Sequence, residues 1–173
     1  QVFNRLEQYI VIGQNPEKVE LILMGGTFPS TEQRYQTDFV KNAFNAMNDF
    51  SEMFFEKNIF KIKKFKSFFE LPGDKDDKER AKRLKEKILE QKNSNKDTLE
   101  EAKERNENSN IKCVGLTIET KPDFGFKEHG NLMLELGCTR IELGIQTTKD
   151  EVLKLTNRGH NLDDSKRSIR ELR

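Results

Sequence analysis

The chain has 173 residues, 35% charged and 34% hydrophobic, with a formal net charge of +1. That length supports one domain with a real core, and the charge content means that part of the chain is solvated rather than packed. The near-neutral balance argues against a globally basic nucleic-acid binder and leaves room for local patches, and no apolar run approaches the ~20 residues needed to cross a membrane.

Residues 2–12 carry Val2, Phe3, Leu6, Tyr9 and Ile10 at the spacing of a packed helix, and Gly13, Asn15 and Pro16 end it. Val19–Met24 is a nearly continuous apolar run that suits a buried parallel strand. Gly25-Gly26-Thr27 follows. Two glycines there open backbone conformations closed to other residues and allow a ligand close to the main chain; taken alone, a plain turn is the stronger reading. A helix is expected through Phe39, Val40, Ala43, Phe44 and Met47. Residues 50–69 hold seven of the thirteen phenylalanines, interleaved with Lys57, Lys61, Lys63, Lys64 and Lys66. Such a mixture can stack bases and hold phosphates, but an amphipathic segment with its lysines outside is the simpler reading. Residues 72–97 are almost wholly polar, with a thin stripe of Ala81, Leu84, Ile88 and Leu89, and read as an exposed inserted helix. Thr98-Leu-Glu-Glu101 has the form of a capping box and opens another helix to about Asn106.

Residues 111–160 then read as strand, helix, strand, helix. Val114, Leu116 and Ile118 alternate with Cys113, Gly115, Thr117 and Glu119; Ile141, Leu143 and Ile145 alternate with Glu142, Gly144 and Gln146. Side chains change face at every strand residue, so each strand has one apolar face and one small or polar face. A parallel sheet covered by helices is normally apolar on both, so a polar face ending in Glu119 and Gln146 suggests a site. Pro122 breaks the first strand. A helix from about Lys127 to Leu136 is capped by Gly137. Thr148-Lys-Asp-Glu151 reads as a second capping box, and a last helix starts near Asp163.

Three strands, each followed by a helix, imply right-handed crossovers and a parallel sheet or partial barrel. Sites in such folds lie at the C-terminal strand ends, where Gly25, Gly26, Thr27, Glu119 and Gln146 gather. Catalytic signals are thin. His129 reads as a surface or packing residue and His160 as a loop residue with a satisfied hydrogen bond. No phosphate-binding loop, catalytic triad order or metal-ligand spacing is present. Glu119 and Glu142 could pair as carboxylates, but the sequence does not fix their separation. Cys113 and Cys138 form neither a disulfide framework nor a metal cluster, which fits a reduced, cytoplasmic setting. The chain does not begin with Met, shows no signal-peptide pattern and opens as if in mid-helix, so it reads as an internal piece of a longer protein.

Three runs carry a resemblance: VELILMGGTFP (19–29), KCVGLTIETKPD (112–123) and TRIELGIQTTKDEVLKLTNRGH (139–160), supported by QVFNRLEQY (1–9) and TLEEAKERNE (98–107). Together they resemble the catalytic subunit of Elongator in its archaeal form, a family that joins a radical S-adenosylmethionine (SAM) domain to a GNAT-type acetyltransferase domain. The resemblance implies an α/β fold, a partial parallel (β/α) barrel of radical SAM type built from residues 1–49 and 98–173, with 50–97 as a divergent, charged, mostly helical insertion. It implies modification of the wobble uridine of tRNA at carbon 5, using acetyl-CoA, SAM and a 4Fe–4S cluster. Gly25, Gly26, Thr27, Glu119, Glu142 and Gln146 are then expected to hold SAM. Lys121, with Lys61, Lys63, Lys64 and Lys66, is expected to meet the RNA. Other Elongator subunits or a second copy of the chain are the implied protein partners, with no membrane association.

The chain departs from the family in several ways, half of the radical SAM barrel being expected outside it as well. The cluster's closely spaced cysteines and the acetyltransferase domain are expected outside these residues. Gly125 stands where the family usually has a bulkier residue or Cys, and Gly130 where it has an apolar one. These 173 residues alone are therefore expected to bind no cluster and to be inactive, with no metal ligand of their own. Two other readings stand beside this one: a non-catalytic tRNA-binding or assembly module, and a radical SAM enzyme acting on another substrate.

Overall fold

The computed structural model describes residues 1–74 and 76–173. In chain order the elements are α1 (Val2–Val11), β1 (Lys18–Leu23), α2 (Gln33–Phe54), β2 (Phe55–Glu56), β3 (Ile59–Phe60), α3 (Ile62–Phe68), α4 (Lys78–Ser94) and α5 (Leu99–Glu107). They continue with β4 (Lys112–Thr120), α6 (Lys127–Glu135), β5 (Arg140–Leu143), α7 (Asp150–Leu155) and α8 (Leu162–Glu171). The chain is α/β, as expected. It divides into two compact units, one of Gln1–Val19 with Phe39–Cys113, the other of Glu20–Asp38 with Val114–Arg173.

The first unit is built on phenylalanine. Phe50, Phe54, Phe65 and Phe69 are buried. Their rings stack edge to face or tilted, with centroids 4.7 Å apart for Phe50–Phe54, 5.6 Å for Phe54–Phe65 and 4.9 Å for Phe65–Phe69. Phe3 of α1 joins them at 5.4 Å from Phe50. Between α2 and α3 the chain reverses through Lys57 and Asn58, both at positive φ, the backbone of a two-residue hairpin turn. Lys63, Lys64 and Lys66 are exposed, so the Phe/Lys segment is amphipathic, with its rings inward.

The polar segment 72–97 is organised by charge rather than by its thin apolar stripe, in which only Leu84 is buried. Asp77 caps α4 by accepting from the Glu79 and Arg80 N–H groups at 3.0 Å. Arg80 donates to the Phe69 carbonyl at 2.6 and 3.0 Å, satisfying the end of α3, and pairs with Glu7 at 3.3 Å. Burial pushes the Glu7 carboxyl up, and Arg80 opposes that rise. Thr98 and Glu101 form the expected capping box. A buried amide network closes the unit: Asn106 donates to Asn48 Oδ1 at 2.8 Å and to the Ile111 carbonyl at 3.0 Å, and accepts from the Cys113 N–H at 2.7 Å.

The second unit carries the sheet, ordered β1-β4-β5. β4 and β5 are parallel, with Thr117 opposite Arg140, Ile118 opposite Ile141, Glu119 opposite Glu142 and Thr120 opposite Leu143. Glu17 accepts from the Lys112 N–H, and a Cβ on Gly115 would lie 3.7 Å from Glu20 Cγ. The 95-residue offset of 17 to 112 recurs in 20 to 115, so β1 advances alongside β4. α6 ends in a Schellman cap: Cys138 N–H donates to Met133 and Gly137 N–H to Leu134, with Gly137 at φ 91.

Three local expectations are corrected. β1 is not buried: it is an edge strand in which only Leu23 is fully covered, and Ile22 is 40% exposed. β5 ends at Leu143, short of Gln146. The Gly144 N–H still donates to Thr120 at 2.9 Å, but the Ile145 N–H turns back to Leu143 and Gln146 takes φ 67. Thr148 caps nothing; Lys149 is the N-cap of α7 and has no side-chain cap bond. The cap that does form, Asn161 with Asp164, begins α8.

Truncating Phe54 to Ala removes a ring that packs on Phe50, Phe65, Phe68 and Phe69. It should cost about 3–5 kcal/mol, read from chemical denaturation. A second expectation concerns acid. Hydrogen bonds from Arg83 and then Lys87 hold the Glu70 carboxyl down from 4.5 to about 2. Its folded-state pKa is depressed, so its stabilisation is present above the ordinary value and is lost as pH falls toward about 2. Glu70→Gln should therefore lower Tm at pH 7, with the gap to the parent chain closing on acidification; a gap that persists in strong acid contradicts this origin.

Candidate functional site

One face of the sheet gathers the polar side chains. Parallel strands lie about 4.8 Å apart, so the register sets Glu119 and Glu142 side by side. The sequence left this separation open. Side-by-side like charges repel, and Arg140 offsets them: its guanidinium sits 3.1 Å from Glu142 and donates to the Thr117 hydroxyl at 3.2 Å. Glu20 of β1 shares the face, opposite Gly115. The result is an acidic wall with one arginine, on strands whose other face buries Leu116 and Ile118.

Because β1 advances with β4, its end delivers Gly25 and Gly26 to the same sheet edge as Thr120 and Leu143. Both glycines have positive φ, 91 and 64, and a Cβ on either would meet nothing within 4 Å. The main chain there lies open, in a conformation that side-chain-bearing residues rarely adopt. Thr27 is half-buried beside them.

Lys121 lies immediately beyond β4 and is engaged within the unit. Its ammonium donates to Asp123 Oδ2 at 3.0 Å and to the Arg158 carbonyl at 3.1 Å. Arg158 Nη2 reaches the Gly144 carbonyl at 3.5 Å, and His160 Nε2 lies 3.5 Å from the Ile145 carbonyl. His160 is buried, but its Nδ1 has no partner, so the satisfied loop histidine is only half realised. His129 is a cap: its Nδ1 accepts from the Phe126 N–H at 3.3 Å.

The expected residues thus divide. Gly25, Gly26, Thr27, Glu119, Glu142 and Gln146 belong to the second unit, with Glu119 and Glu142 in direct register. Lys61, Lys63, Lys64 and Lys66 belong to the first, and Lys61 is paired with Glu56 at 2.7 Å, which holds the Glu56 carboxyl below its usual range. Sequence reading missed Arg140, Asp123 and Arg158. Arg140 carried a signal, because it lies two residues before Glu142 and so on the same strand face; Asp123 and Arg158 are each held by Lys121 from loops and carried none.

The radical SAM superfamily description matches residues 4–173. The chain belongs to the radical SAM superfamily. It is 35% identical over 161 residues to a tRNA uridine(34) acetyltransferase of Methanocaldococcus infernus, covering 93% of this chain and 22% of that protein. It is 32% identical over 162 residues to Elongator complex protein 3 of Dictyostelium discoideum, covering 94% and 21%. The solved structure of the archaeal Methanocaldococcus infernus Elp3 with an N-terminal deletion superposes with a TM-score of 0.67 at 34% identity, over 96% of this chain and 29% of that one. The chain spans about a fifth of the length of the curated relatives it matches.

Radical SAM membership implies SAM and a 4Fe–4S cluster, and the residues fit them unequally. The open backbone at Gly25-Gly26 and the acidic wall suit a cationic sulfonium and an ammonium group. The cluster does not fit. Fe–S clusters are held by several cysteine thiolates, and this chain has two cysteines. Cys138 is buried with its Sγ 3.1 Å from the Arg140 carbonyl, and burial pushes its thiol pKa up, away from the thiolate. No group of metal-ligating side chains occurs among the described residues.

Of the two unusual glycines, Gly125 has a steric reason here and Gly130 has none. A Cβ on Gly125 would lie 2.4 Å from Ser168 Oγ and 2.7 Å from Leu143 Cδ2, whereas one on Gly130 would meet only Leu172 Cδ2, at 2.6 Å. Ser168 is buried and donates to the Gly125 carbonyl at 2.8 Å, so α8 approaches this turn closely. Gly125→Ala should destabilise by about 1–3 kcal/mol through overpacking. Gly130→Ala displaces only a side-chain end and gains about 1 kcal/mol of helix propensity, so it should be neutral or stabilising. Equal decreases in denaturation midpoint would refute this account.

Proposed function

We propose that this chain forms the SAM-facing wall of the radical SAM domain in a tRNA uridine(34) acetyltransferase of the Elongator type. One observation carries the reading: two consecutive left-handed glycines end β1 at the sheet edge where Glu119 and Glu142 stand in register. The identities of the relatives supply the reaction class. When bound, SAM supplies radical chemistry at carbon; this chain binds and orients it. The Gly25 and Gly26 carbonyls accept from the methionine ammonium. Glu119 and Glu142 accept from ribose hydroxyls and favour the sulfonium charge by Coulomb attraction. Thr27 and Gln146 complete the polar lining. tRNA and acetyl-CoA are the substrates, with other Elongator subunits or a second copy as protein partners. Lys63, Lys64 and Lys66, exposed on α3, meet RNA phosphates, and Lys61 contributes less because Glu56 already holds it.

The test uses the parent protein. Gly26→Val forces a β-branched residue into positive φ, a genuine outlier for that side chain, and should weaken SAM binding by at least about tenfold, ~1.4 kcal/mol, in titration calorimetry while tRNA affinity is kept. Unchanged SAM affinity overturns the reading. Replacing Lys63, Lys64 and Lys66 with Ala should weaken tRNA binding and flatten its salt dependence, by about 0.7–0.9 in log–log slope for each phosphate no longer neutralised. An unchanged slope removes α3 from the RNA-binding surface.

A further inference from the structure

The loop after α7 carries an arrangement that the SAM wall alone does not require. Among the described residues, four buried side-chain atoms lack a hydrogen-bond partner, and three of them lie in this loop or in the turn after β4: Arg158 Nε, His160 Nδ1 and Asp123 Oδ1. Buried polar groups without partners lower stability, and their concentration in one place asks for a role other than folding.

The neighbouring geometry supplies that role. β5 stops at Leu143, and the next residues leave the sheet. Gln146 takes φ 67, a left-handed conformation unfavourable for a non-glycine residue. The carbonyls of Gly144 and Ile145 face Arg158 Nη2 and His160 Nε2, each at 3.5 Å. Lys121, the first residue beyond β4, holds the Arg158 carbonyl at 3.1 Å and Asp123 at 3.0 Å. The chain from Lys121 through the Arg158–His160 turn to Gly144–Ile145 therefore ties the end of β4 to the end of β5.

We propose that Lys121, Arg158 and His160 are positioning residues that brace the Gly144–Gln146 strand end against the end of β4 and so set the geometry in which Glu142 and Gln146 meet SAM. This rests on the SAM-wall reading above. Lys121 acts through this brace, with two of its three N–H donors held by Asp123 and the Arg158 carbonyl. Arg158 and His160 act on two backbone carbonyls that have left the sheet ladder.

The parent protein is titrated with SAM alone. His160→Ala and Arg158→Lys each remove one tie to the strand end. Each should raise the Kd for SAM about three- to tenfold, the worth of one hydrogen bond, at full binding stoichiometry. His160→Gln, which keeps a donor near the Nε2 position, should recover most of the affinity. In turnover the effect should fall on KM for SAM more than on kcat. A merely structural role would instead reduce the fraction of sites that bind and leave Kd unchanged, and that result overturns the brace whether or not the variant is less stable. Gly26→Val separates the two levels. If it too leaves Kd unchanged, the SAM-wall reading fails; if it raises Kd while His160→Ala and Arg158→Lys do not, only the brace fails.

Discussion

The register between β4 and β5 is the constraint on which the site depends. It is fixed from outside the strands. The Schellman cap at Gly137 ends α6 and turns the chain so that Cys138 N–H closes on Met133. Thr139 then grips Leu116 twice: its N–H donates to the Leu116 carbonyl at 2.8 Å, and its Oγ1 accepts from the Leu116 N–H at 3.0 Å. β5 can start only one residue later, with Arg140 opposite Thr117. A slip of one residue would turn Glu142 to the face that buries Ile118 and bring Ile141 to the acidic wall. The cap of a helix thus decides which carboxylates meet.

That placement carries an electrostatic penalty that the structure leaves partly standing. Glu119, Glu142 and Glu20 share a face with one arginine, and Arg140 makes its ion pair with Glu142. A sheet selected for stability alone would neutralise the pair or separate it. Residual negative charge on an open wall is what a cationic ligand exploits, since binding it relieves the repulsion. In the first unit one guanidinium reaches every carboxylate around it instead: Arg105 pairs with Asp49, Glu52 and Asp97. Burial works against its charge, yet these acidic partners hold its pKa above the usual value. On the SAM-wall reading the difference lies in the pairing: Arg105 reaches all three of its carboxylates, whereas Arg140 is paired with Glu142 of the three on the wall.

Much of this was legible in the sequence because the signals were local. Alternation along 113–119 marked the polar face, and Thr98 with Glu101 marked a cap. The glycines at 25 and 26 marked a backbone that takes positive φ. The failures were tertiary. Thr148 and Glu151 match the capping pattern, but the Thr147 hydroxyl takes the Lys149 N–H and Asp150 is engaged by the Leu162 N–H, so the local motif gave way to an interaction twelve residues along the chain. Gln146 continued an alternation that the backbone had already abandoned. The acceptors of Lys121, above all the Arg158 carbonyl 37 residues on, cannot be seen from spacing. Main-chain acceptors in loops leave no residue-type signature.

The same chemistry sorts the two groups the family brings. On the SAM-wall reading, an acidic, oxygen-lined wall with an open backbone suits cationic and hydrogen-bonding groups, which SAM carries at its sulfonium, ammonium and ribose. An iron–sulfur cluster asks for soft, ionised thiolates. Here burial keeps the Cys138 thiol protonated, and Cys113 lies toward the start of β4, at the opposite end of that strand from Glu119 and Thr120. Strand direction alone keeps that sulfur away from the functional edge, because six residues separate Cys113 from Glu119 at about 3.3 Å each. On the SAM-wall reading, the sulfur chemistry of this chain therefore belongs to the scaffold and its oxygen chemistry to the site.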